Sequence, residues 1–167
     1  VSATLVYLGL GSNLAHPRRQ LARALRSIAR LPGTCVVAAS PSYASAPVGV
    51  DDPQPDYVNS VVIVRTVLRP RALLSALHGI ERAQLRRRAR RNAPRTLDID
   101  VLLFGRRRIR IPGLTVPHPR MHERAFVLRP LTDVDAAARI PGRGLARRYL
   151  PSVRTQRINR TRTHFLR

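Results

Sequence analysis

Asp98 and Asp100 stand two residues apart in the run Pro94-Arg95-Thr96-Leu97-Asp98-Ile99-Asp100-Val101-Leu102-Leu103-Phe104. The run is apolar and β-prone, so it predicts a strand. Side chains alternate across a strand, which puts both carboxylates on one face and Leu97, Ile99, Val101 and Leu103 on the other. Acids so placed lie roughly 6–7 Å apart. At that separation they repel unless a cation sits between or beside them. Mg²⁺ suits the position, because it prefers carboxylate oxygens and shares them with substrate phosphates. Half of the residues from Arg82 to Arg95 are arginine, each a planar fork of donors for phosphate oxygens. The alternative is a strand end carrying two solvated acids. The neighbouring arginines favour the metal site.

A chain of 167 residues with 44% apolar content reads as one domain with a substantial core. Nine acids face thirty-one cations, all of them arginine, and the formal net charge is +22. Without lysine, Schiff-base chemistry, pyridoxal chemistry and the P-loop lysine are excluded. The charge attracts polyanions in a salt-dependent way. Much of it is scattered, however, over Arg18, Arg19, Arg23, Arg26 and Arg30 and over residues 154–167, and reads as background. The single cysteine, Cys35, excludes an intramolecular disulfide and fits a reducing compartment. Beside Val36 and Val37 it is expected as a buried strand thiol. No apolar run approaches the roughly 20 residues that span a bilayer. No secretory signal opens the sequence, so a cytoplasmic protein without a membrane partner is expected.

Residues 4–10 predict a first strand, and Gly9-Leu10-Gly11-Ser12-Asn13 lacks the spacing of either glycine-rich phosphate fingerprint. These glycines are expected to turn the chain out of that strand. A helix is predicted from Pro17 to about Leu31, ended by Pro32-Gly33. Residues 34–44 predict a strand interrupted near Pro41, and 57–68 a β-branched one. Pro70 opens a second helix with a stripe of Leu73, Leu74, Leu77 and Ile80. After the Asp98–Asp100 strand come a short strand at 109–111, a short helix at 123–128 and irregular C-terminal segments. His16 and His122 are expected at the surface. The order β-α-β-β-α-β predicts an α+β fold, a ferredoxin-like two-layer sandwich with a βαββαβ core and C-terminal additions.

Several patches together resemble the 6-hydroxymethyl-7,8-dihydropterin pyrophosphokinases. They are Gly11-Ser12-Asn13, Asp56-Tyr57-Val58-Asn59, Glu81, Pro94 to Asp100, Val116-Pro117-His118-Pro119 and Arg124-Ala125-Phe126-Val127-Leu128. The resemblance runs from about Leu5 to Leu131, and its Pro-Arg-Thr-x-Asp-x-Asp segment is its most specific part. It implies transfer of diphosphate from ATP to a pterin alcohol in folate biosynthesis. It implies that Asp98 and Asp100 hold two Mg²⁺ ions against the triphosphate, and that Arg95 contacts phosphate beside them. Arg86 and Arg88 match loop arginines that close over ATP, and Arg86, Arg88 and Arg95 form the implied catalytic group. Glu81, His118 and Arg124 match nucleotide-side positions, and His78 occupies a plausible nucleotide-facing place on the same helix as Glu81.

For the pterin, the resemblance implies a sandwich between Tyr57 and Phe126. Asn59 meets the ring edge, and Ser45 and Val48 offer backbone groups. One departure stands out: an aromatic that often covers the pterin is replaced near its place by Asn92. A monomer using ATP and a small pterin, with no specific nucleic-acid partner, is expected. The alternatives are a basic ferredoxin-like nucleic-acid-binding module and an inactive or engineered relative. Against the module, the chain lacks the aromatic-rich consensus of RNA-binding sheets. Two carboxylates on one strand face would also repel phosphates unless a metal intervened.

Overall fold

Strand β1 (Thr4–Ser12) occupies the interior of the main sheet because its alternate residues Val6, Leu8 and Leu10 are apolar and buried. The structure is a computed structural model that describes residues 2–49, 53–84 and 96–161. Arg86, Arg88, Asn92, Pro94 and Arg95 lie outside the described residues. After β1 come helix α1 (Pro17–Ala29), strands β2 (Thr34–Ala39), β3 (Tyr43–Ser45) and β4 (Tyr57–Thr66), helix α2 (Pro70–Ala83) and strand β5 (Asp98–Phe104). Strands β4 and β5 flank β1, both antiparallel to it. The far edge of β4 pairs with β3 near its start and with β2 near its end. Pro41 falls in the gap between those two, where a residue without an N–H ends the ladder.

Both helices begin with proline in the first turn, where a missing N–H costs nothing. Helix α1 buries Leu21, Ala24, Leu25 and Ile28, and α2 buries Leu73, Leu77, Ile80 and Glu81. These spacings are one face of a 3.6-residue period. The stripes meet Val6, Leu8, Val62, Val64, Ile99 and Val101 in a first apolar core. Each fully buried leucine there stabilises the fold by about 1.5–3 kcal/mol.

The chain continues through the hairpin β6 (Ile109–Ile111) and β7 (Leu114–Val116), helix α3 (Ala125–Val134), the hairpin β8 (Arg139–Ile140) and β9 (Gly144–Leu145), and β10 (Ile158–Arg160). Helix α3 packs Leu128 and Leu131 with Val61, Leu102 and Leu103 in a second core. The sheet therefore carries apolar packing on both faces, because the C-terminal additions to the expected α+β core fold back over the face away from α1 and α2. The last strand, β10, joins the edge of the main sheet beside β3 in a region expected to be irregular.

Local corrections have identifiable causes. The β1–β5 register shifts between Tyr7 and Leu8, so Leu8 lies opposite Val101 and Tyr7 opposite Leu103. That irregularity breaks the strict alternation, and Leu103 joins Leu102 in the second core instead of following Ile99 into the first. Gly9 and Gly11 lie within β1 and do not turn the chain out of it. Cys35 is exposed, not buried, on β2, which among the described residues pairs with β4 alone and leaves Val37 exposed as well. His122 is packed, with its side chain 12% exposed, 3.4 Å from Glu123 and edge-on to Tyr149. Among the described residues, no helix is long and apolar enough to cross a membrane.

Candidate active site

The floor of the main cleft is the pairing of β1 with its neighbours. Asp98 lies opposite Gly11 and Asp100 opposite Gly9, while Gly11 faces Asn59 on the other side. A Cβ at Gly11 would sit 3.2 Å from the Asn59 amide oxygen, and one at Gly9 would sit 3.4 Å from Leu102. Glycine therefore keeps the floor open between the acids and Asn59. A cavity of about 160 Å³ rises from it, walled by Ser45, Val48, Tyr57 and Asn59 on one side and Arg124 and Phe126 on the other. Asn59 Nδ2 donates to Ser45 Oγ at 2.8 Å, and both residues are buried. The five residues expected around a pterin thus line one cleft, although they come from β3, β4, the loop after β3, and α3.

A second cleft of about 370 Å³ opens on the other side of the acids, lined by Leu74, His78, Ile111, Thr115 and His118. Asp98 and Asp100 line both clefts. A group bridging the two would pass directly over the carboxylates. Leu74 and His78 reach this cleft as an i, i+4 pair on α2, a spacing visible in the sequence. Arg120, which lines the main cleft, carried no such signal.

Glu81 lines neither cleft. It is 3% exposed, and its Oε1 accepts the backbone N–H of Ile99 at 2.8 Å. Ile99 is the residue between the two acids, so α2 grips β5 at that point. The spacing Leu73, Leu77, Ile80, Glu81 sets an acid on the core-facing stripe, where burial demands a partner.

Arg124 lies with its guanidinium 5.4 Å from the centre of the Phe126 ring, a cation–π contact. Burial and then Arg120 pull its pKa down, while Asp100 and Asp98 oppose the shift. It stays a cation at neutral pH. His118 is pushed down from 6.5 to about 4, first by burial and then by Arg124, with Asp98 pulling the other way. Its Nδ1 accepts the Arg120 N–H at 3.2 Å, so the neutral ring carries its proton on Nε2 as a donor.

This depression has a consequence for stability. Between pH 6.5 and about 4 the unfolded chain binds a proton that folded His118 does not. The stability contribution is complete above the unfolded value and falls as pH drops through that window. His118→Gln is expected to flatten the dependence of unfolding free energy on pH between those limits. An equally steep dependence in the variant, measured by denaturant titration, would contradict this assignment.

Two carboxylates fit a hard divalent ion such as Mg²⁺. Among the described residues there is no cluster of three or more His, Cys, Asp or Glu able to cage an ion. Mg²⁺ takes one or two carboxylates and completes its shell with water and substrate phosphate, whereas structural zinc needs four protein ligands.

Residues 7–136 match the family model described as 7,8-dihydro-6-hydroxymethylpterin-pyrophosphokinase. A 2-amino-4-hydroxy-6-hydroxymethyldihydropteridine pyrophosphokinase of Pseudomonas aeruginosa is 52% identical over 136 residues, covering 81% of this chain and 83% of that protein. The Haemophilus influenzae protein of the same name is 46% identical over 135 residues, covering 81% and 84%. A crystal structure of Plasmodium falciparum HPPK-DHPS with pterin and p-hydroxybenzoate superimposes with a TM-score of 0.70 at 15% identity. It covers 90% of this chain but only 42% of that longer one, and it speaks for the fold alone. With an acid pair set between two clefts and close relatives along most of its length, the chain belongs to the 7,8-dihydro-6-hydroxymethylpterin-pyrophosphokinase family.

Proposed function

We propose that this chain transfers the terminal diphosphate of ATP to the hydroxymethyl group of 6-hydroxymethyl-7,8-dihydropterin and releases AMP, a step of folate biosynthesis. The observation that carries this reading is the shared position of Asp98 and Asp100 between an aromatic-walled cleft and a histidine-lined one. The pterin lies between Tyr57 and Phe126 with its edge at Asn59 and Ser45. ATP takes the second cleft, its phosphates reaching toward the acids. The hydroxymethyl oxygen attacks the β-phosphorus as the bond to the α-phosphate's bridging oxygen breaks; AMP leaves with that oxygen, and the hydroxyl proton is released to solvent.

Positioning and charge stabilisation account for most of such a reaction. Neutral His118 donates from Nε2 to a phosphate oxygen, and Arg124 opposes the charge on the acid side. Arg86, Arg88 and Arg95 are proposed to close over the triphosphate and keep water out. Asp98 and Asp100 would hold two Mg²⁺ ions, which supply charge neutralisation and alignment of the reacting oxygens. Glu81 acts through the Ile99 N–H and not on ATP itself.

The βαββαβ order with strand sequence β3-β4-β1-β5 supports a ferredoxin-like core. We read the chain as a single pyrophosphokinase domain, monomeric and cytoplasmic. A nucleic-acid-binding module is not favoured, since the helices and the C-terminal third cover the sheet and the cleft floor left between them presents carboxylates where such modules stack bases. The test is pterin-dependent conversion of ATP to AMP with Mg²⁺, at low and moderate salt. AMP that forms only with pterin and persists at moderate salt is expected. Salt-sensitive nucleic-acid binding without AMP would overturn the proposal in favour of that module, and neither activity would indicate an inactive relative.

A further inference from the structure

We propose that Gln156 and Arg157, on the segment leading into β10, are positioning residues that set the affinity of the aromatic-walled cleft. The inference rests on reading that cleft as the pterin's. Helix α3 starts at Ala125 with Arg124 as its cap residue, and Arg124 makes no side-chain cap bond. The first N–H groups of a helix need acceptors from outside it. Gln156 supplies one from a segment far along the chain: its Oε1 accepts the Ala125 N–H at 2.8 Å. Its Nε2 donates to the Glu123 carbonyl, also at 2.8 Å. One amide thus clasps the residues on both sides of Arg124 and next to Phe126.

Arg157 does the corresponding job on the opposite wall. Its guanidinium pairs bidentately with the Asp56 carboxylate, at 2.7 and 2.6 Å, immediately before Tyr57. Its carbonyl accepts the Ala46 N–H at 3.3 Å, next to Ser45 and two residues before Val48. The segment is itself tied down, since Ile158 lies opposite Ser45 in the sheet and the Thr161 N–H donates to the Ser42 carbonyl at 2.8 Å. Consecutive residues therefore span the two aromatic walls. Gln156 and Arg157 also line a cavity of about 330 Å³ that Val48 and Phe126 share with the aromatic-walled cleft. Both lie beyond residues 7–136, the part of the chain that matches the family model.

Two walls joined through one strap keep a fixed separation, and a flat ring held between them pays for any slack in binding. Gln156→Ala is expected to raise KM for the pterin by roughly tenfold, the scale of one lost cap, and to raise KM for ATP far less, through Arg124 alone. Arg157→Ala should act in the same sense, and the exchange Asp56→Arg with Arg157→Asp should recover most of the loss. A residue that merely supports the fold would shift both KM values alike or neither, and either result overturns the proposal. Amide exchange at Ala125 gives a readout that needs no substrate: it should quicken in Gln156→Ala and stay slow in Gln156→Glu, which keeps the acceptor. Unchanged exchange in Gln156→Ala would refute the clasp whatever the cleft binds. Absence of pterin-dependent AMP from the unaltered chain, with exchange behaving as described, would instead refute the reading of the cleft.

Discussion

Asp98→Ala or Asp100→Ala is expected to raise the barrier to AMP formation by at least ~3 kcal/mol, on the order of a hundredfold or more in rate. Both side chains are half-buried on the strand face between the two clefts, and each lines both. Removing one leaves a single acid to hold cationic charge against the phosphates. The reacting oxygens then lose both neutralisation and alignment. The change in stability should be small by comparison, because relief of the repulsion between the two acids offsets the lost attraction between the removed acid and Arg124. Melting temperatures close to that of the unaltered protein are therefore expected. Near-normal AMP formation by either variant at saturating Mg²⁺ would remove the acid pair from the mechanism. A large fall in melting temperature would mean that the acids serve the fold instead.

Glu81→Leu is expected to have the second-largest effect, reached by a different route. The bond from Oε1 to the Ile99 N–H is buried, and losing the acceptor strands a backbone donor away from water. Such a loss costs about 1–3 kcal/mol, and each kcal/mol shifts the melting temperature of a chain of this size by about 2–4 °C. Activity should fall further than the loss of stability alone implies, because Ile99 separates the two acids and its displacement tilts both. Glu81→Gln keeps an acceptor oxygen in the same place and should retain most of the melting temperature. The idea would be sunk by a Glu81→Leu protein that melts normally and turns over at the usual rate. Thermal melts and AMP assays on the same preparations decide it.

Where the pattern is local, the sequence was legible. The apolar run around Asp98 and Asp100 became β5, and the spacing of Leu73, Leu77 and Ile80 became the buried stripe of α2. Pro41 divided the second strand as its missing N–H requires. Ser45, Val48, Tyr57, Asn59 and Phe126, expected around a pterin, line one cleft, and His118 lines the other beside His78. Arg86, Arg88 and Arg95 lie outside the described residues.

What escaped sequence reading shares one cause: partners distant in the chain decided it. Cys35 sits among valines that read as core, but exposure is set by what covers β2. The register shift opposite Tyr7 sends Leu103 to the second core against simple alternation. Strand β10 has only three residues, and no local period reveals a strand held in place by pairing with Tyr43–Ser45. Glu81 shows the same division, since its placement on an apolar stripe was visible but its acceptor role was not.

The sequence by itself determined the chemistry available: two acids on one strand face, arginine as the sole strong cation, and too few aromatics to build a stacking sheet. These follow from residue type and from the two-residue and 3.6-residue periods, which any short segment carries within itself. Tertiary structure alone decided that Gly9 and Gly11 clear a floor, that the acids border two clefts, and that a C-terminal strap joins the cleft walls. Each of those depends on backbone segments meeting across long stretches of chain, and the free energy that selects such meetings comes from burial and hydrogen bonding that no single segment contains.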